Sequence, residues 1–170
     1  MKSEVVLISH SDLEDLVVRA AHSVRLRQHR NIHISYDDPC QRLLNAVQVD
    51  SYIRPHRHSV DPKVETLFAL TGRFGVFAFD TAGAIRDYVC IGSEKYMSNS
   101  VGMAVEVDPR TWHTVIALEP GSILLELKPG PFDPDLAKEF APWAPEEGGL
   151  DANDYLRGLR DYAEGSRRVG

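Results

Sequence analysis

The feature that most constrains this chain is a series of short β-type segments between residues 43 and 128, separated by turn signals. Breaks fall at Gly72, at 81–83, at Asp108-Pro109 and at Glu119-Pro120-Gly121, where Pro and Gly suit a type II turn. No helical pattern lies between the segments, and such spacing is typical of an all-β sandwich or barrel. The predicted strands are 43–49, 64–70, 74–79, 85–91, 101–107, 112–118 and 122–128.

Helical and irregular segments flank this β region. Ser11-Asp12-Leu13-Glu14 has the pattern of a capping box, and helical spacing of the following apolar residues predicts a helix over about 12–22. Residues 129–149 contain five prolines and predict an extended arm around the barrel, followed by a short helix over about 151–163 and six frayed residues. We expect a single domain over 1–170: an N-terminal helix and basic loop (1–40), a β-barrel core (41–128), and a C-terminal arm and helix (129–170).

Charge and composition exclude several classes of partner. The chain has 19 Lys and Arg against 25 Asp and Glu, and its net charge of −6 gives no support for binding to nucleic acids or anionic membranes. No apolar stretch approaches the roughly 20 residues of a membrane span, and the first ten residues lack the pattern of a signal peptide. Cys40 and Cys90 are isolated and predict reduced core thiols. We therefore expect a cytoplasmic protein.

Three histidines and a carboxylate in the β region form a candidate metal site. His56 and His58 flank Arg57, and residues i and i+2 of a strand point to one face. Glu65 lies at the start of the next β run, and His113 follows a proline turn. This set suits a divalent first-row ion and can leave positions for water or substrate. Taken singly, the His pair also fits surface histidines beside a turn, and His113 fits a core histidine bonded to the backbone.

The order of these residues resembles the two cupin motifs. Residues 50–72 resemble G(X)5HXH(X)3–4E(X)6G, with Asp50 in place of the first glycine and a six-residue gap before Glu65. Residues 102–117 resemble G(X)5PXG(X)2H(X)3N, with one extra residue before Pro109, Thr111 for the second glycine and Ala117 for the asparagine. The resemblance implies a cupin jelly-roll β-barrel with four metal ligands, His56, His58, Glu65 and His113.

Further segments resemble the WbuC-type cupin-fold metalloproteins. They are QRLLNAV, SYIRPHRHSVDPKVETLFAL, FD-x-x-G, the Trp-His pair, LELKPGPF and KEFAPWAPEEG. The similarity covers nearly the whole chain and implies one bound divalent ion, with zinc, iron, nickel and manganese as candidates. It also implies a link to polysaccharide or O-antigen assembly, but it implies no particular reaction.

Basic residues near the predicted site are candidates for binding an anionic ligand. Lys63 has the strand parity of Glu65, so it either points into the barrel toward a carboxylate or phosphate or is a solvated lysine at the strand entrance. The stretch 16–34 contains no Asp or Glu. Within it, Arg25 and Arg27 suit bidentate contacts with an anion, or they belong to a solvated loop that balances the acidic tail.

Three functions remain open from the sequence, and no catalytic residue is assigned. The first is a metal-dependent isomerase, epimerase or lyase that acts on a small anionic or sugar-like substrate. The second is an iron-dependent dioxygenase, and the third is a metal-containing ligand-binding or sensor module without turnover. No obvious free histidine outside 22–33 could act as a general acid or base, which keeps the third function open. Jelly-roll edges and a long arm favour a homodimer.

Overall fold

Two β-sheets pack face to face, and one helix lies against the outside of each. A computed structural model describes residues 5–98 and 100–166. The elements are α1 (His10–Ala21), β1 (Arg27–Asn31), β2 (Cys40–Val47), β3 (His56–Arg57), β4 (Glu65–Thr71), β5 (Arg73–Phe79), β6 (Ile85–Gly92), a 3₁₀ turn (Glu94–Tyr96), β7 (Val101–Gly102), β8 (Ala104–Val107), β9 (Trp112–Ala117), β10 (Ser122–Pro129), β11 (Glu139–Phe140) and α2 (Ala152–Ser166). Among the described residues, no helix is long and apolar enough to cross a membrane.

The strand order is that of a jelly roll. One sheet has five strands in the order β1-β2-β10-β4-β8, and the other has six in the order β11-β3-β9-β5-β6-β7. Only the β6–β7 pair is parallel among the strand pairs of the described residues. Strands distant in sequence, such as β2 and β10 or β3 and β9, therefore lie side by side. The predicted all-β cupin jelly roll, with a helix before it and a helix after it, is confirmed.

Alternation along the strands separates an inner core from two outer ones. In β9, Val115 and Ala117 belong to the cluster between the sheets, whereas Trp112 and Ile116 belong to a cluster under α2 and the arm. A third cluster packs α1 against the five-stranded sheet. Because His113 has the parity of Val115, its side chain faces the space between the sheets.

The N-terminal helix begins two residues before the predicted position. The Ser9 hydroxyl accepts a hydrogen bond from the Asp12 backbone N–H at 3.2 Å, and the Asp12 carboxylate accepts one from the Ser9 backbone N–H at 2.8 Å. The predicted box at Ser11 and Glu14 is wrong, because an aspartate at the third helical position supplies the reciprocal bond that was assigned to the glutamate.

Four further predictions differ from the structure. The segment predicted as a basic loop contains β1, an edge strand paired with β2. The predicted strand 101–107 is split, since β7 pairs with β6 in one sheet and β8 pairs with β4 in the other. Cys40 is exposed and Cys90 is half-buried, so neither is a core thiol. Helix α2 continues to Ser166, and the rest of the tail predicted to fray lies outside the described residues.

We expect Ser9→Ala to lower the free energy of unfolding by about 1 kcal/mol, because the Asp12 N–H loses its side-chain acceptor. Ser11→Ala is the matched control, since the Ser11 hydroxyl contacts the Ser9 hydroxyl rather than the helix backbone. It should change stability by no more than about 0.5 kcal/mol. Urea unfolding followed by circular dichroism measures both values, and equal losses in the two variants would contradict the assignment of Ser9 as the cap.

Candidate metal centre

The two sheets bring the four predicted ligands together in the space between them. His56 in β3 and His113 in β9 are direct cross-strand partners. His58 is buried like His56, whereas the intervening Arg57 packs outward over the ring of Trp112. Glu65, the first residue of β4, comes from the opposite sheet. The ligand atoms of this metal cluster, which comprises His56, His58, Glu65 and His113, all lie within 4.8 Å of one another.

Backbone carbonyls orient all three imidazoles. His56 Nδ1 donates to the Arg54 carbonyl at 3.0 Å, and His113 Nδ1 donates to the Thr111 carbonyl at 2.9 Å. His58 Nδ1 donates to the carbonyl of Ala137. Because a carbonyl oxygen can only accept, Nδ1 carries a proton, and in the neutral form of each ring Nε2 therefore carries a lone pair. Hydrogen bonds of this kind fix the tautomer and orientation of metal-binding histidines. All three Nε2 atoms are therefore free to act as ligands.

The carboxylate of Glu65 places further lone pairs against two of these nitrogens. Glu65 Oε1 lies 3.1 Å from His58 Nε2, and Oε2 lies 3.4 Å from His113 Nε2. His58 Nε2 is buried and has no hydrogen-bond partner within the described part of the chain. Two lone-pair atoms this close repel each other unless a proton or a metal ion lies between them. The three-nitrogen, one-carboxylate set therefore fits a divalent first-row ion.

Burial and nearby charges hold His56 and Glu65 in the protonation states that metals require. Burial, reinforced by the charge of Lys138, holds the pKa of His56 well below its usual value, so the imidazole is neutral. Burial alone would raise the pKa of Glu65, but the contacts with His113 and His58 and the charge of Lys128 outweigh it and hold this pKa well below its usual range. Neutral imidazoles and an ionised carboxylate are the metal-binding forms.

A buried lysine connects the cluster to a second carboxylate. Lys128 in β10 donates to Glu65 Oε1 at 3.2 Å and to Glu126 Oε1 at 2.7 Å, and Asn45 donates to Glu126 Oε2 at 2.7 Å. Burial alone would lower the pKa of Lys128, but Glu126 and Glu65 raise it above its usual value, so the ammonium group is charged. The sequence prediction missed this trio because no motif marks it. Alternation along the predicted strand 122–128, which puts 126 and 128 on one face, was the available signal.

The metal cluster opens into a cavity of about 610 Å³. Its walls include the inner faces of β1, β2 and β10 and part of the arm, which contributes Phe132, Pro134, Lys138 and Phe140. The charged side chains that line it are four cations and three carboxylates: Arg25, Arg27, Lys128, Lys138, Glu65, Glu126 and Glu147.

Of the two interpretations of Lys63 that the sequence left open, the inward-facing one is not what the structure has. It donates to the Asp61 carboxylate and the Pro131 carbonyl, and it is not among the described residues that line the cavity. Strand parity does not extend to it, because β4 begins only at Glu65. The lysine that reaches the cluster from this sheet is Lys128.

The two predicted arginines both line the cavity but differ in how they are engaged. Arg27 donates to both oxygens of Glu147, at 2.7 and 2.6 Å, and to the Tyr52 carbonyl at 2.9 Å. The side chain of Arg25 is exposed and has no partner among the described residues. Arg25 is therefore unpaired within the described part of the chain, whereas Arg27 is already paired.

Comparisons with known proteins agree with the fold and leave the reaction open. A family model described as a domain of unknown function, DUF6016, matches residues 8–91, just under half of the chain. No curated protein matches the sequence. The protein SO0799 from Shewanella oneidensis is 13% identical over 87% of this chain and 94% of its own, with a TM-score of 0.57. This likeness supports the fold alone.

Two other solved structures are similar at lower TM-scores. KdgF from Halomonas sp. is 21% identical over 65% of this chain and 83% of its own, with a TM-score of 0.45. Oxalate decarboxylase from Bacillus subtilis is 15% identical over 67% of this chain and 27% of its own, with a TM-score of 0.49. The protein thus has a cupin-type jelly-roll fold with a buried three-histidine, one-glutamate cluster of the metal-binding type between its sheets.

We expect His56→Ala to bind a divalent ion about tenfold or more weakly, because it removes one ligand of the metal cluster. The metal-dependent gain in melting temperature should shrink with it. His29→Ala is the matched control, since His29 lines the cavity outside the cluster and should leave metal content unchanged. Elemental analysis of protein purified without chelator or nickel resin measures the stoichiometry. Unchanged stoichiometry in His56→Ala would contradict the ligand assignment.

Proposed function

We propose that this protein is a metal-dependent enzyme that transfers a proton on a small anionic or sugar-like substrate, as an isomerase, epimerase or lyase. The observation that carries the proposal is the chain of contacts Glu65–Lys128–Glu126, which sets a second carboxylate on the cavity wall close to the metal cluster. Metal-dependent proton transfer needs both an electrophilic centre and a nearby base.

The metal cluster supplies the electrophilic part of this chemistry. A divalent ion bound there would polarise a carbonyl or hydroxyl group and stabilise enolate-like charge. His56, Glu65 and His113 all line the cavity, so a molecule in the cavity reaches the cluster directly. The cavity volume of about 610 Å³ lies within the range of small-molecule sites.

Glu126 is placed to act as the base. Its side chain is only 16% exposed, and Lys128 and Asn45 each hold one of its oxygens at 2.7 Å. The ion pair with Lys128 and the bond from Asn45 hold one oxygen each, so together they fix the position and orientation of this carboxylate. A carboxylate held in this way can take a proton from a carbon next to a polarised carbonyl and return it to the same or a neighbouring atom.

The nature of the substrate follows from the cavity and from the sequence resemblance. Unpaired cations on the cavity wall favour a negatively charged molecule. The resemblance to the WbuC-type metalloproteins supports a sugar-derived compound used in polysaccharide assembly. A cytoplasmic location, a homodimer, and the absence of nucleic-acid and membrane partners stay predictions of the sequence.

We expect the metal-loaded protein to catalyse exchange of one carbon-bound hydrogen with solvent, and Glu126→Gln to slow this exchange by about 10²–10⁴-fold, because the base is lost. The measurement is deuterium incorporation by proton NMR in D₂O, with a panel of uronic acids, keto sugar acids and sugar phosphates. Metal content should be the same in both proteins.

Glu106→Gln is the control for this experiment. It removes a carboxylate on strand β8 of the same sheet, where Glu106 is exposed and lies outside the cavity lining. Exchange that is equally fast in Glu126→Gln and in the wild type would refute Glu126 as the base. Oxygen consumption by the iron-loaded protein without exchange would instead support the dioxygenase, and ligand binding without either would support a binding module.

A further inference from the structure

Lys138 carries an ammonium group from the C-terminal arm into the cavity. Both Lys138 and Phe140 line the cavity, as alternation in an extended segment requires. Strand β11 pairs with β3, so that Glu139 lies opposite Arg57 and Phe140 lies opposite His56. Lys138 directly precedes this pairing, and its backbone therefore lies beside the segment that supplies two metal ligands.

The neighbours of Lys138 on both sides are tied to the same segment. The Ala137 carbonyl accepts the hydrogen bond from His58 Nδ1. The Glu139 carboxylate accepts two bonds from Arg57, each of 2.8 Å, and a third from Ser59. The position of Lys138 relative to the metal cluster is thus set from both sides.

The side chain of Lys138 is also unpaired within the described part of the chain. Its ammonium group has no hydrogen-bond or ion-pair partner among residues 5–98 and 100–166, although it lies close enough to the Glu65 carboxylate for the two charges to attract each other. By contrast, the carboxylates of Glu65 and Glu126 are bonded to Lys128, and that of Glu147 is bonded to Arg27. Each lining carboxylate is therefore already paired with another cation.

We propose that Lys138 binds the anionic group, a carboxylate or a phosphate, of a ligand whose neighbouring oxygen reaches the metal cluster. This inference rests on the proposed function and names the charge of its substrate. The lining already has more cations than carboxylates, and a divalent ion would add positive charge beside Glu65. An anion next to Lys138 offsets that excess, and an ammonium group suits either carboxylate or phosphate as a compact point charge.

The test compares Lys138→Gln with two matched variants. Lys138→Arg keeps the charge, and Arg157→Gln makes the same change of charge on α2, where Arg157 is exposed and pairs only with Asp154 among the described residues. Metal content is measured first in every protein. Manganese-loaded and metal-free samples are then titrated by calorimetry with glycolate, inorganic phosphate and neutral ethylene glycol.

We expect Lys138→Gln to bind glycolate or phosphate about tenfold or more weakly than the wild type, because a charge-assisted bond is lost. Lys138→Arg, Arg157→Gln and the metal content should change little. A preference for glycolate identifies a carboxylate ligand, and a preference for phosphate identifies a phosphorylated one.

Equal anion affinity in Lys138→Gln and the wild type would overturn this inference. So would a wild type that binds no anion with or without manganese. A wild type that binds anions through Lys138 but takes up no metal would refute the proposed function and leave the anion site standing. Metal uptake with anion binding indifferent to Lys138 would overturn the anion site alone.

Discussion

Three hydrogen bonds from imidazoles to backbone carbonyls determine what the centre of this barrel can bind. Without them a histidine ring can rotate and exchange its tautomer, and its Nε2 lone pair has no fixed direction. For His56 and His113 the accepting carbonyl lies two residues earlier in the same segment. For His58 it belongs to Ala137, 79 residues away. The local backbone therefore orients two ligands, and the third depends on how the C-terminal arm packs.

Buried charge sets the second constraint. An isolated ionised carboxylate in the interior loses several kcal/mol of solvation, so Glu65 needs compensating partners. Lys128 is one of them, and it is shared with Glu126, whose other oxygen is held by Asn45. A cation bound beside Glu65 would repel Lys128, and Glu126 is the carboxylate placed to retain it. The same contacts that make a buried Glu65 tolerable thus hold a second carboxylate at the cavity wall.

The four residues of the metal cluster could be predicted because strand parity and the motif resemblance mark them. Parity within a strand puts His56 and His58 on one side, and the motif order adds Glu65 and His113. Strand parity also suggested an inward-facing Lys63, but the rule does not apply there, because Lys63 lies two residues before β4 begins. Which loop carbonyl would meet His58, or which arm residue would enter the cavity, depends on packing between segments far apart in sequence. The spacing of residues along the sequence does not predict contacts of that kind.

The arm is therefore part of the site rather than a cover for it. Consecutive residues of 137–140 point in alternating directions. The Ala137 carbonyl orients His58, and Glu139 points outward to Arg57. Lys138 and Phe140 face the cavity. Strand β3 has only two residues, so it forms few backbone hydrogen bonds with its neighbours in the sheet. Its pairing with β11 and the Arg57–Glu139 ion pair add to the contacts that hold it in place. A shift of the arm would move the carbonyl behind His58 and the ammonium group of Lys138 together. The direction of one metal ligand and the charge presented to a bound molecule are consequently set by the same segment.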